Sequence, residues 1–357
     1  MNSLDFSQED VERAASYHRP AYVSFAAGLL LVFTAYAVLR WTQPGRWLWG
    51  LVDGLGWAGS AAAWAAIVVT VVELVRLPLV FWRGFLRERR WGFSTQGLGG
   101  WAADQLKGWA VGLVLAAAAW TGMVGLARAF PGWWVVLASA AFAAAVLFLS
   151  FVAPIVLEPL FNRFRPLDDA QLAGELRSLA DDARVPVRDV LVADASRRTT
   201  KVNAYVSGIG GTRRVVVYDT LLDEAGQPEL EVVVAHELGH RRHRDVAKGT
   251  LLAMAGAAVA VLVAWPIDPS PRDVPVLLFV WGLLEVAALP LTAAFSRRLE
   301  RRADRFALDI THDPGAFETA FRRMAKANLS DLDPPRLAYA FVFTHPTPVE
   351  RLAAVAS

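Results

Sequence analysis

Six apolar runs, each close to the roughly 20 residues that cross a bilayer as a helix, constrain this 357-residue chain more than anything else in it. They cover residues 21–39, a stretch within 56–82, then 109–127, 133–156, 250–265 and 274–295. In hydrocarbon every backbone N–H and C=O must be satisfied internally, so such runs become helices. The chain is 55% hydrophobic and only 20% charged, whereas soluble domains are about a quarter charged. The expected fold is therefore mostly α, a polytopic membrane helix bundle. Residues 47–52 form an extra apolar patch that reads either as part of a seventh crossing or as a re-entrant segment. The first run also ends near Ala35-Tyr-Ala37, which looks like a signal-peptidase site. Acidic residues (Asp5, Glu9, Asp10, Glu12) stand where a signal peptide has its positive region, so an uncleaved anchor is expected.

Tryptophans 41, 47, 49, 82, 91, 101, 109, 133, 134 and 265 cluster near the ends of the runs, as interfacial belts do. Arginine and lysine concentrate in 83–107 and again from Arg163 onward, while the connections 128–132 and 266–273 carry one arginine each. Short loops rich in these residues stay in the cytoplasm, which places the polar half of the chain there. The Ala-, Arg- and Trp-rich composition suggests a bacterial source, and so a bacterial cytoplasmic membrane. A net charge of +2, with basic residues gathered at membrane ends, argues against nucleic acid as a partner. With no cysteine in the sequence, disulfides, thiolate metal sites, thiol nucleophiles and lipidated cysteines are excluded.

The chain divides into a membrane region at 1–156 with about four spans, a polar block at 157–247, a transmembrane hairpin at 248–295 and a second polar block at 296–357. The two polar blocks together have the size of one ordinary domain. Residues 168–183 have helical periodicity. Residues 190–193, 203–207 and 214–218 read as strands, with 208–211 as the turn between the last two, and 229–242 reads as a helix.

That last helix carries His236-Glu-Leu-Gly-His240, an H-E-x-x-H motif. Two histidines four residues apart project from one helical face and can bind one zinc ion, with Glu237 beside the position of a bound water. Such a site needs a third ligand. Glu300 is the best candidate, on a helix continuing from the last span, and Asp304 lies one turn further on the same face. There Asp304 could accept the second ring N–H of a ligand histidine. The alternative for this charged helix is a solvated face of Glu–Arg pairs. His243 is of the right type but points away from a metal held by His236 and His240. His18 and His312 have no neighbours at ligand spacing and read as background. Within the spans, Glu73 and Arg76 are three apart and can pair on one helix face, while Glu285 has no assigned role.

Several segments resemble the integral-membrane zinc proteases of the CAAX prenyl protease type I group (the sterile-24 family of gluzincins). They are Pro159-Leu-Phe-Asn-Arg-Phe-Arg-Pro-Leu167, Ser196-Arg-Arg-Thr-Thr-Lys-Val-Asn-Ala-Tyr205 with Val217-Tyr-Asp-Thr-Leu221, the H-E-x-x-H segment, 296–304, and Thr344-His-Pro-Thr-Pro-Val-Glu-Arg-Leu352. Gly92-Phe-Ser and Asp104-Gln-Leu-Lys107 are similar to that family's loop between spans, with Ser94 where the family often has Asn. The resemblance implies a gluzincin-type α+β zinc protease domain set in the helix bundle. It implies one zinc per chain on His236, His240 and Glu300, with Glu237 as general base and acid. Asn203 and Ala204 would hold the substrate backbone, and His345 and Arg351 would contact the substrate and its oxyanion. It also implies that the spans enclose a chamber opening to the active site. From the residues alone His345 could equally be surface or site, and Arg351 could be an ordinary exposed arginine of a C-terminal helix.

The expected function is peptide-bond hydrolysis by zinc-activated water on a peptide or protein substrate at the bilayer, which the family name extends to a prenylated C-terminal peptide. The enzymatic alternative is a quality-control protease with no prenyl requirement. The alternative from another class is a transporter or scaffold with a structural metal site, against which stand the intact Glu237 and spans nearly free of charge.

Overall fold

The computed structural model describes residues 6–208, 210–267 and 269–355. Asp5 of the acidic N-terminal segment and Ile209 of the expected turn lie outside the described residues. Six helices among them are long and apolar enough to cross a membrane: Gln8–Trp41, Gly56–Arg90, Leu98–Ala129, Trp134–Phe161, Asp245–Val263 and Pro271–Thr311. Several overrun their apolar cores, because polar residues at a membrane surface can continue a helix that the hydrocarbon requires. The patch at 47–52 falls partly in the eight-residue helix Gln43–Gly50. At 1.5 Å per residue this helix rises about 12 Å, too short to be a seventh crossing.

The bundle packs around Trp64, Val68, Met123, Val124 and Leu277, all fully buried. With no water to satisfy buried indoles, the Trp64 and Trp120 N–H groups donate to the carbonyls of Arg272 (3.2 Å) and Pro271 (3.1 Å). Trp47, Trp133 and Trp265 are exposed, as a belt requires. Trp101 and Trp134 depart from the belt reading, since both are buried in the protein and serve as packing. Glu73 and Arg76 do pair, at 3.2 Å on one helix face.

A four-stranded sheet, in the order β1-β2-β4-β3, stands beside the bundle. Its strands are β1 (Phe164–Pro166), β2 (Asp189–Ala193), β3 (Ala204–Ser207) and β4 (Arg214–Tyr218). β1 runs antiparallel to β2, β2 parallel to β4, and β3 antiparallel to β4. The short β1 carries no alternating pattern, and its Pro166 is tolerated because the strand is at the sheet edge. Val190, Val192, Val215 and Val217 are buried from both β2 and β4. Helix Ala170–Asp182, capped by the Asp169 carboxylate, and helix Gln227–Arg242 cover the sheet and share its core. Between β3 and β4, Gly208 sits at φ +80°, where an added Cβ would lie 2.2 Å from the Thr212 carbonyl oxygen.

The membrane loop around Phe93 is stitched to the segment before β3. Ser94 pairs with Thr199 in an antiparallel bridge, and the Thr200 N–H donates to the Phe93 carbonyl at 3.0 Å. That segment leads directly into Asn203 and Ala204.

Candidate active site

Helix Gln227–Arg242 is buried over most of its circumference, and only its C-terminal turns meet a cleft. It crosses the long helix Val274–Thr311 at Gly239, where a Cβ would come 3.0 Å from Phe306 Cδ1 and 3.3 Å from Ala303 Cα. The glycine in the motif thus lets the two backbones approach closely enough for Glu300 to meet both histidines. His236 Nε2 and His240 Nε2 are 3.2 Å apart, and Glu300 sets one carboxylate oxygen 3.3 Å from each. The two contacts use different oxygens of Glu300, Oε2 toward His236 and Oε1 toward His240. One ligand atom from each of the three residues lies within 4.8 Å of the others, close enough to share one zinc ion.

The donor chemistry agrees. His236 Nδ1 is 2.9 Å from Asp304 Oδ1, and His240 Nδ1 is 3.1 Å from Asp245 Oδ2. Each carboxylate takes the Nδ1 proton, which leaves both Nε2 lone pairs facing each other and the Glu300 carboxylate. Two imidazole nitrogens and a carboxylate turned toward one point, nearly out of water, are a donor set that fits zinc.

Asp245 reaches His240 because of the backbone. The motif helix ends at His243, Arg244 turns through the left-handed region at φ 57°, and Asp245 begins the next helix folded back on the first. Arg302 and Lys248 hold its outer oxygen. Asp304 is gripped from the other side by Arg351, whose Nη2 and Nε are 2.6 and 2.9 Å from its two oxygens. Arg351 is only 11% exposed and lies over the Phe321 ring at 4.1 Å. Helix Pro348–Ala353 turns Arg351 inward onto Asp304 and Glu300, so it is not an exposed arginine of that helix.

His345 comes from the loop before that helix, with Nδ1 2.8 Å from Glu300 Oε2 and most of its ring open to solvent. Arg297, one helical turn before Glu300, anchors this loop by donating to the carbonyls of Tyr339 (3.0 Å) and Phe343 (2.6 Å). Glu237 lines the cleft beside the histidines. Burial raises its carboxyl above the usual range, partly offset by His236 and His240.

The cleft holds about 450 Å³. One wall is β3. The Tyr218 N–H donates to the Asn203 carbonyl at 3.0 Å, so residues 203, 205 and 207 face β4 while 204 and 206 face the open edge. Arg241 occupies the Val206 carbonyl. The opposite wall includes His18 and Tyr22 from the first membrane helix, which bond to the Leu329 carbonyl (2.7 Å) and the Asp331 carboxylate (2.5 Å). His18, taken as background from the sequence, therefore lies in the cleft. His243 packs against Phe306, away from the three ligand atoms.

Residues 166–357 match peptidase family M48, and residues 3–163 match the CAAX prenyl protease N-terminal region, described as five membrane helices. The chain belongs to peptidase family M48. It is a multi-pass membrane metalloendopeptidase of that family, whose members use zinc. It is 29% identical to the uncharacterized metalloprotease YhfN of Bacillus subtilis over 80% of this chain and 71% of that protein. It is 26% identical to a CAAX prenyl protease 1 homolog of Arabidopsis thaliana over 98% of this chain and 88% of that one. The crystal structure of S. mikatae Ste24p superimposes with a TM-score of 0.83 at 23% identity, covering 98% of this chain and 89% of that chain, and so shares the fold.

Of the expected site residues of this M48 chain, His236, Glu237, His240, Glu300, Asp304, His345, Arg351, Asn203 and Ala204 converge on one cleft. Asp245, Arg297 and the first-helix residues were not anticipated. Asp245 had a usable signal, because a second ligand histidine also needs an acceptor for its free ring N–H. The others depend on tertiary packing that no local pattern records.

Proposed function

We propose that the protein is a CAAX-type membrane endopeptidase holding one zinc per chain on His236, His240 and Glu300. The observation that carries this reading is the convergence of His236, His240 and Glu300, with ligand atoms within 4.8 Å of one another and each histidine braced by its own carboxylate. The catalytic unit combines 157–247 and 296–357, supported by a core that mixes Leu230 and Val234 with Ala307, Phe317 and Phe321. It faces the cytoplasm, as the placement of arginine and lysine suggests.

A zinc ion held there supplies Lewis-acid polarisation of the scissile carbonyl and a more acidic water. Glu237 would take a proton from the attacking water and pass it to the leaving amine. Ala204 offers its outward N–H and C=O to an extended peptide, and Asn203 lines the cleft beside it. His345 is placed to donate to the developing oxyanion. Arg351, engaged by Asp304 and Glu300, fixes the ligand carboxylates and puts positive charge behind the site.

Replacing Asp245 with Ala frees the His240 ring and should weaken zinc binding about 10–100-fold without abolishing it. Competition with a fluorescent zinc chelator would measure this, and an unchanged affinity would remove Asp245 from the site. The substrate reading is tested by purifying the protein in detergent, counting zinc, and comparing cleavage of a farnesylated C-terminal peptide with its unlipidated twin. Preferential cutting of the lipidated peptide is expected. Equal cutting would point to quality-control proteolysis, and absence of zinc would overturn the site.

A further inference from the structure

The metal cleft is not the whole cavity. A second lobe of about 660 Å³ adjoins it, sharing His18, Asn203, Asn328 and Ser330 in its walls. Arg87 and Lys201 line this lobe, and no carboxylate among the described residues does. Lys201 Nζ bonds to Tyr17 Oη at 2.7 Å and to Glu88 at 2.8 Å, and Arg87 reaches the same Glu88 at 2.8 Å. Arg87 and Lys201 are thus the charged side chains that line the lobe, while Glu88 and Asp331 lie outside its walls. The Lys201 side chain keeps 33% of its surface exposed, while Arg87 Nε and Nη1 are buried with no hydrogen-bond partner.

The edge of the sheet directs a peptide toward this lobe. Asn328 presents its side-chain amide to the backbone of Val202, donating to the carbonyl at 3.1 Å and accepting from the N–H at 3.0 Å. It occupies the place where a further strand residue would pair. With Arg241 on the Val206 carbonyl, an added strand can use both backbone groups only at Ala204. A peptide held there must leave the edge at Asn328 and continue alongside the lobe. Lys201 is three residues from Ala204, about 10 Å of extended chain.

We propose that this lobe is a carboxylate subsite in which Lys201, supported by the charge of Arg87, receives the C-terminal carboxylate of the substrate. The assignment rests on the peptidase reading above and adds a polarity to it. A free carboxylate is attracted to this corner and a free ammonium is repelled, so the peptide lies with its C-terminal end in the lobe. The bond cut is then a few residues from the chain end.

The probe is a short peptide with an apolar C-terminal half and an N-terminal fluorophore, made once as the free acid and once as the C-terminal amide. Binding is measured by anisotropy on zinc-loaded Glu237→Gln protein, alone and combined with Lys201→Met or Lys201→Arg, with zinc content and thermal midpoint checked for each. A charge-assisted hydrogen bond predicts that Glu237→Gln prefers the acid about tenfold or more, that Lys201→Arg keeps the preference and that Lys201→Met removes it. Equal binding of acid and amide, or a preference that survives Lys201→Met, would overturn the subsite. Turnover by the Lys201-containing wild type is read separately. Discrimination in binding with no cleavage would uphold the lobe and count against the peptidase reading.

Discussion

Replacing Glu237 with glutamine is expected to lower kcat by about 10²–10⁴-fold while zinc content and thermal midpoint stay at wild-type values. The amide keeps the shape of the carboxyl and cannot accept a proton. Glu237 lies outside the three-atom ligand triangle, so its loss should not release the metal. Its environment suits a base, because burial raises the carboxyl above the usual range and makes it a stronger proton acceptor than a solvated glutamate. Steady-state cleavage of the better peptide, beside metal analysis of the same preparations, checks both halves. Retention of most of the activity would assign proton transfer elsewhere, and loss of zinc would make Glu237 part of the metal site.

The second large effect is expected at Glu300. Substituting Ala removes the third ligand and also the carboxylate that His345 and Arg351 contact. Two imidazole lone pairs then face each other without a carboxylate co-ligand, and zinc should be lost along with all measurable cleavage. Zinc stabilises the folded wild type by about 2.7 kcal/mol at 100 times its Kd. The wild-type thermal midpoint should therefore rise on zinc addition and that of Glu300→Ala should not. Stoichiometric zinc in the variant would mean that Asp304, one turn along the same helix, can take over as ligand.

How far the sequence disclosed this arrangement depended on whether the signal was local. H-E-x-x-H is read from a four-residue spacing, and the spans from runs of apolar residues, so both were legible. Glu300 was legible because zinc demands a third ligand and the helix after the last span offered one. The fate of residues 47–52 was not, because hydropathy alone does not separate a short surface helix from part of a crossing. That His240 needs an acceptor was legible, but that Asp245 supplies it depends on Arg244 turning left-handed, and β1 is three residues with no alternation to read. His18 and Tyr22 are the furthest from any local pattern. They meet Leu329 and Asp331 across more than 300 positions, and only the folded bundle brings them together.

The helix Val274–Thr311 is unbroken over 38 residues, about 57 Å at the usual rise. Its first half is bilayer-embedded and its second half carries Arg297, Glu300 and Asp304. The proposed third ligand thus stands on the protruding end of a membrane helix, which contains Pro290 but no loop between its two halves. Where that helix sits in the membrane sets where the third ligand stands relative to the histidines. A water-soluble excision of the protease half would cut away the part that holds Glu300 in register.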